Sequence, residues 1–304
     1  MEDQKPEIPQ SSPGRIILTV VALFFLGSAV GGGIIQLMCD WQGIPLADAL
    51  KDFGPESTAP ERNFVKGLLF LNHLSSFLLP CLIAGLLFYK RQWPERLELR
   101  LFPGVRTFWL ALLILLCAFP VAQGLFELNR WILGHFAFSE QLLELEGASE
   151  NLQIGLLKMD SIWELITSII AMALVPAIGE ELLFRGFLQK QLIRAMKNPV
   201  TGILIAALFF SLIHFQAQRF LAIFWLGTVL GLLYFWTKNL WVPIFAHFLN
   251  NGVQVVVAWF YQEDLQALNQ QSDSFPWWVA VAGLVLFPFF AKLLIAHSDK
   301  KQNA

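Results

Sequence analysis

A carboxylate pair and an arginine interrupt the apolar stretch MALVPAIGEELLFRGFLQ as Glu180, Glu181 and Arg185. Ionisable side chains at such a place are costly in lipid, so they turn inward and pair. On a helix, Glu181 and Arg185 stand at i and i+4 and form an ion pair on one face, while Glu180 is turned about 100° away and need not share the arginine. Two further polar insertions follow: His214 at the end of Phe210-Ser211-Leu212-Ile213, and His247 with Asn251 at i and i+4 in a later apolar run. These residue types suit hydrolysis. Glu180 with His214 can hold and deprotonate a water for attack on a peptide carbonyl, and His247 with Asn251 can donate to the developing oxyanion. A divalent metal is the rival account, because Glu180, His214 and His247 are acceptable zinc ligands, although no HExxH is present. Polar contact between helices is the plain structural alternative.

The elements around these residues must bring them to one level. Glu180 lies 18 residues before Asn198 and His214 lies 16 after it, with Lys197-Asn198-Pro199 as a hairpin turn between them. Both therefore sit about 24–27 Å from that turn. His247, 8 residues beyond the Lys238-Asn239 turn, is about 12 Å deep from the same side. His214 is also close to the turn at Gln216–Gln218, so straight helices would leave it deeper than His247. The spacing thus requires tilt, or an extended piece around 215–219.

Composition names the solvent. Of 304 residues, 56% are hydrophobic and 14% charged, with 28 Phe, 11 Trp and a mean hydropathy of +0.58, too apolar for a water-soluble domain. Apolar runs near 16–38, 67–89, 107–126, 162–188, 199–216, 219–237, 241–260 and 276–297, interrupted by few charges, predict about eight spanning helices. The expected class is an all-α polytopic membrane protein with an intramembrane polar cavity. Expected units are a polar cytoplasmic tail (1–15), three spans with their loops (16–158), a motif-bearing core (159–260) and a last span with its tail (261–304). A net charge of -2 excludes a basic field for nucleic acid, leaving membrane lipid and a membrane-associated protein or peptide as partners. Lys90, Arg91, Arg96, Arg100 and Arg106, with Arg185, Lys190, Arg194 and Lys197, mark cytoplasmic loops. The acidic 127–161 loop and the 261–275 loop fall outside, so both termini are expected in the cytoplasm. Cys39, Cys81 and Cys117 read as packing residues. So do the pairs Gly27/Gly31 and Gly227/Gly231. Lys66 and Lys292 are expected to snorkel, and His73, His135 and His297 to be interfacial.

Glu180-Glu181-xxx-Arg185, Phe210-xxx-His214 and His247-xxx-Asn251 resemble the EExxxR, FxxxH and HxxxN pattern of the CPBP family. This is the CAAX prenyl protease 2 and bacteriocin-processing (Abi) group of intramembrane endopeptidases. The resemblance covers about 160–260. It implies an eight-helix membrane protein in which Glu180 and His214 activate water, His247 and Asn251 form an oxyanion hole, and Glu181 with Arg185 supports the site. It leaves a zinc-dependent and a metal-independent glutamate mechanism both open. It also leaves, as the alternative function, a non-proteolytic bacteriocin-immunity or scaffold protein; a proton-relaying transporter is disfavoured for lack of an inverted repeat.

Overall fold

Two of the helices begin at a side-chain cap followed by proline. Ser12 accepts from the Arg15 amide at 3.4 Å ahead of Pro13, and Asn198 accepts from the Thr201 amide at 3.2 Å ahead of Pro199. Gly43, at φ 70°, ends the first helix by donating to the Asp40 carbonyl at 3.0 Å. The protein, described by a computed structural model, is defined over residues 11–43, 46, 50, 53–99, 102–135, 151–262, 265 and 276–302. Residues 1–10 of the expected tail, Arg100, the acidic loop residues Glu140, Glu144, Glu146 and Glu150, and most of the 261–275 loop lie outside that range. Residues 13–15, expected in the polar tail, open the first helix instead.

The principal helices are α1 (Pro13–Gln42), α2 (Ala59–Arg96), α3 (Val105–Leu133), α4 (Ile162–Met196), α5 (Pro199–Leu212), α6 (Phe220–Thr237), α7 (Trp241–Phe260) and α8 (Trp277–Gln302). Among the described residues there is no strand. The chain is a polytopic all-α membrane protein, with 7 helices long and apolar enough to span among the described residues. The expected eighth, α5, has 14 residues. It is about 21 Å long against an apolar core of about 30 Å, so the α5–α6 hairpin turns within the bundle's depth.

Two apolar cores organise the bundle. One surrounds α4, where Leu183, Phe184 and Phe187 pack with Phe77 and Phe88 of α2, Val20 of α1, Phe210 of α5 and Ile244 of α7. The other joins α3, α6, α7 and α8 through Ile114, Leu233, Val242 and Leu294. Close approach relies on small residues. A Cβ on Gly179 would lie 2.9 Å from the Phe77 Cβ, and Gly27 and Gly31 of α1 both face Ser75 of α2.

The ties between helices set their depths. At the lysine- and arginine-rich end, Lys190 donates to Glu98 Oε1 at 2.9 Å, while the Leu240 amide donates to the Glu98 carbonyl at 3.0 Å. This holds the start of α7 level with Lys190. Glu180 is then about 15 Å and His247 about 10 Å from that tie. Near the opposite end, Arg62 of α2 grips Glu164 of α4 through Nε and Nη2, both at 2.9 Å, and reaches Asp160 at 2.5 Å. Lys66, expected to snorkel, is instead buried with Nζ 3.7 Å from Glu164 Oε1. The acid within reach gives the ammonium an ion pair inside the bundle, where snorkelling would need only water.

Candidate active site

α4 widens around its carboxylates. Ile169–Leu174 and Leu182–Gln189 are π-helical turns flanking Val175–Glu181, and α2 has a similar stretch, Leu74–Leu78, immediately after His73. Such insertions re-aim side chains and recur at functional sites. Here they bound the segments carrying Glu180, Glu181 and His73.

Glu180 is buried. Its Oε2 has no hydrogen bond and lies 3.9 Å from His214 Nε2 and 3.9 Å from His247 Nε2. That spacing exceeds a direct hydrogen bond and suits groups that share a water. The other ring nitrogens are engaged. His214 Nδ1 is 2.6 Å from the Phe210 carbonyl, and His247 Nδ1 is 2.9 Å from Glu181 Oε1. Each neutral ring therefore donates from Nδ1 and keeps its lone pair on Nε2, facing Glu180.

Glu181 and Arg185 sit behind His247. Arg185 Nη1 donates to Glu181 Oε1 at 2.6 Å and Nη2 to the Gly227 carbonyl at 2.8 Å. One turn on, Gln189 Nε2 donates to the Gly231 carbonyl at 2.9 Å. The glycine pair of α6 thus does more than admit a neighbouring helix: its carbonyls receive a ladder of side chains from α4. Phe210 links the parts, with the Arg185 guanidinium 4.6 Å above its ring and the rings of His214 and His247 at 4.7 and 5.8 Å.

The depth problem at His214 is solved by the hairpin tip. α5 ends at Leu212, and Phe215 turns the chain at φ 51°. Asn129 of α3 donates to the Ala217 and Gln218 carbonyls at 2.7 and 2.9 Å, and Ser211 Oγ donates to the Phe220 carbonyl at 2.7 Å. A short pinned turn, rather than tilt alone, sets the height of the imidazole. His214 keeps 27% side-chain exposure against 6% for His247, so it is the more accessible edge of the site.

Asn251, one turn beyond His247 on α7, hydrogen-bonds to other partners. Its amide lies 3.4 Å from the Met172 carbonyl, and its Oδ1 accepts from Asn250 at 3.1 Å. A residue outside the motifs joins instead. His73, expected at an interface, places Nε2 3.3 Å from Glu180 Oε1. The available signal was Asn72-His73-Leu74-Ser75-Ser76, a polar interruption of an apolar run like the others.

Glu180, His214 and His247 have donor types that zinc accepts. Among the described residues, however, no group of three His, Cys, Asp or Glu converges as a metal-holding set.

Residues 162–253, from the start of α4 into α7, match the family described as Type II CAAX prenyl endopeptidase, Rce1-like. Over these residues the site-bearing helices are similar to this family. The match lies inside the expected 159–260 core and contains all three motifs, while His73 and Asn129 fall outside it. Among curated proteins, the uncharacterized protein YpbD of Bacillus subtilis is 37% identical over 92 residues, 29% of this chain and 44% of that one. The membrane-embedded CAAX protease MroQ of Staphylococcus aureus is 31% identical over 106 residues, 33% of this chain and 43% of that one. The chain thus spans less than half the length of these relatives in each match. No solved structure matches the chain.

Proposed function

We propose that the protein is an intramembrane endopeptidase that hydrolyses a peptide bond of a membrane-associated protein or peptide with a water activated by Glu180 and His214. The observation that carries this reading is the unbonded Glu180 Oε2 at 3.9 Å from two imidazole nitrogens whose partner nitrogens are already engaged. The family match, and a relative named as a CAAX protease, support the same chemistry.

In this mechanism a water donates to Glu180 Oε2 and to His214 Nε2. Glu180 takes one proton as the water oxygen bonds to the peptide carbonyl carbon. His247, oriented by Glu181 at Nδ1, can donate to the oxyanion from a protonated Nε2. An amide nitrogen carries two protons, so Asn251 can spend one on Met172 and turn the other toward the oxyanion. Glu180 then returns its proton to the leaving amine as the C–N bond breaks, and the carboxylate is regenerated. A substrate reached from the lysine- and arginine-rich side, with both termini in the cytoplasm, fits the charge distribution of the loops.

Comparison of membrane and secreted peptides from cells carrying the wild type or Glu180→Ala tests the proposal. Cleavage products that disappear with Glu180→Ala are expected. Identical peptide sets, with biological activity retained in Glu180, His214 and His247 variants, would favour an immunity or scaffold protein.

A further inference from the structure

We propose that His73 is a positioning residue of the site: it anchors Glu180 Oε1 and so leaves Oε2 as the oxygen presented to His214 and His247. The inference rests on the protease reading only for its activity readout.

A carboxylate has two equivalent oxygens and rotates easily about its terminal torsion. If it were held only by its own stem, Glu180 could turn toward either histidine, and a protonated Nε2 there would close the 3.9 Å spacing into a direct hydrogen bond. His73 supplies the missing constraint. Its Nε2 lies 3.3 Å from Glu180 Oε1, on the oxygen that the other histidines do not face.

His73 is itself fixed on two edges and one face. Its Nδ1 is 3.1 Å from the Leu69 carbonyl one turn earlier, and its ring stacks on Phe77 at 5.4 Å with planes 20° apart. Both ring nitrogens face oxygen acceptors, so the doubly protonated ring satisfies both and sets a positive charge beside the buried carboxylate. The contact between Gly179 and Phe77 brings α2 and α4 together at this level. The arrangement therefore uses backbone proximity, ring stacking and one donor to hold a single carboxylate oxygen.

The test uses the full chain in lipid nanodiscs. His73→Phe keeps the stacked ring and removes both nitrogens; His73→Gln restores an amide donor near the Nε2 position. On a peptide that depends on Glu180 in the cellular comparison, the phenylalanine variant is expected to lower kcat about 10²-fold with KM unchanged. The glutamine variant should recover most of that loss. A His73→Phe protein with wild-type kcat would overturn the inference. His73→Leu takes its place if the phenylalanine variant does not accumulate.

A measurement without substrate tests the anchoring independently. Dicyclohexylcarbodiimide attacks protonated carboxyl groups in apolar surroundings, and its adduct on Glu180 can be followed by mass spectrometry. Labelling should be slow in the wild type, faster in His73→Phe and slow again in His73→Gln. Equal labelling in all three contradicts the proposal. If instead Glu180→Ala cleaves like the wild type while this labelling pattern holds, the protease reading fails and the anchoring of Glu180 stands.

Discussion

The same two helices, α2 and α4, meet through acids at two depths, and the two meetings are built differently. Near one end, Glu164 is saturated: Arg62 holds both of its oxygens at 2.9 Å, the Asp160 amide adds a third bond at 2.9 Å, and Lys66 stands 3.7 Å away. Deeper in the bundle, Glu180 has histidines in place of arginine and lysine, and one of its oxygens has no hydrogen bond. The first arrangement spends its polar groups on each other. The second keeps a lone pair and two ring nitrogens available for a third party. A buried carboxylate that fastens helices and one that can do chemistry are thus told apart by what remains unbonded.

This contrast is broken most severely by exchanging each acid for its amide. Glu164→Gln leaves Arg62 and Lys66 buried without a full counter-charge and should cost about 3–5 kcal/mol of stability. Glu180→Gln keeps an amide oxygen for His73 to donate to and disturbs no partner of the second oxygen, so it should lower the unfolding midpoint of the detergent-solubilised protein far less than Glu164→Gln. Equal destabilisation by the two exchanges would show that Glu180 is a fastening as well.

A smaller change probes the support behind the site. A Cβ on Gly231 would lie 2.6 Å from Gln189 Oε1, so Gly231→Ala should displace the side-chain ladder at a cost of about 1–3 kcal/mol. The denaturation midpoint and the cleavage rate, measured together, should both fall. The mildest effect on stability is expected at Asn129→Leu, which loses its hydrogen bonds to the hairpin tip and should cost about 1 kcal/mol. Its cleavage rate should drop by more than that loss of folded protein explains, because the turn carrying His214 is released. A rate that merely tracks the folded fraction would leave Asn129 with no part in placing His214.

The parts legible in the sequence were those written on single helices. Glu181 with Arg185 is an i,i+4 ion pair in the structure as in the sequence, and the all-α membrane class follows from composition. The hairpin count placed Glu180 and His214 at one level but left the tip unresolved, because the Asn129 contacts that pin it join positions 88 and 89 residues apart. His73 and Lys66 were misplaced for the same reason. Each looks unpaired along its own helix and finds its acid about a hundred residues later, on α4. The short α5 was counted as a span because the apolar run continues past Leu212, where the helix stops and a turn begins.

In the proposed mechanism the unbonded oxygen of Glu180 accepts the proton of the attacking water. The most direct test of this step is the cleavage rate of purified Glu180→Gln, which has the same shape and no base, on a peptide released by the wild type. A kcat lower by about 10²–10⁴-fold with the fold intact is the expected result. A Glu180→Gln protein that cleaves at the wild-type rate would contradict it.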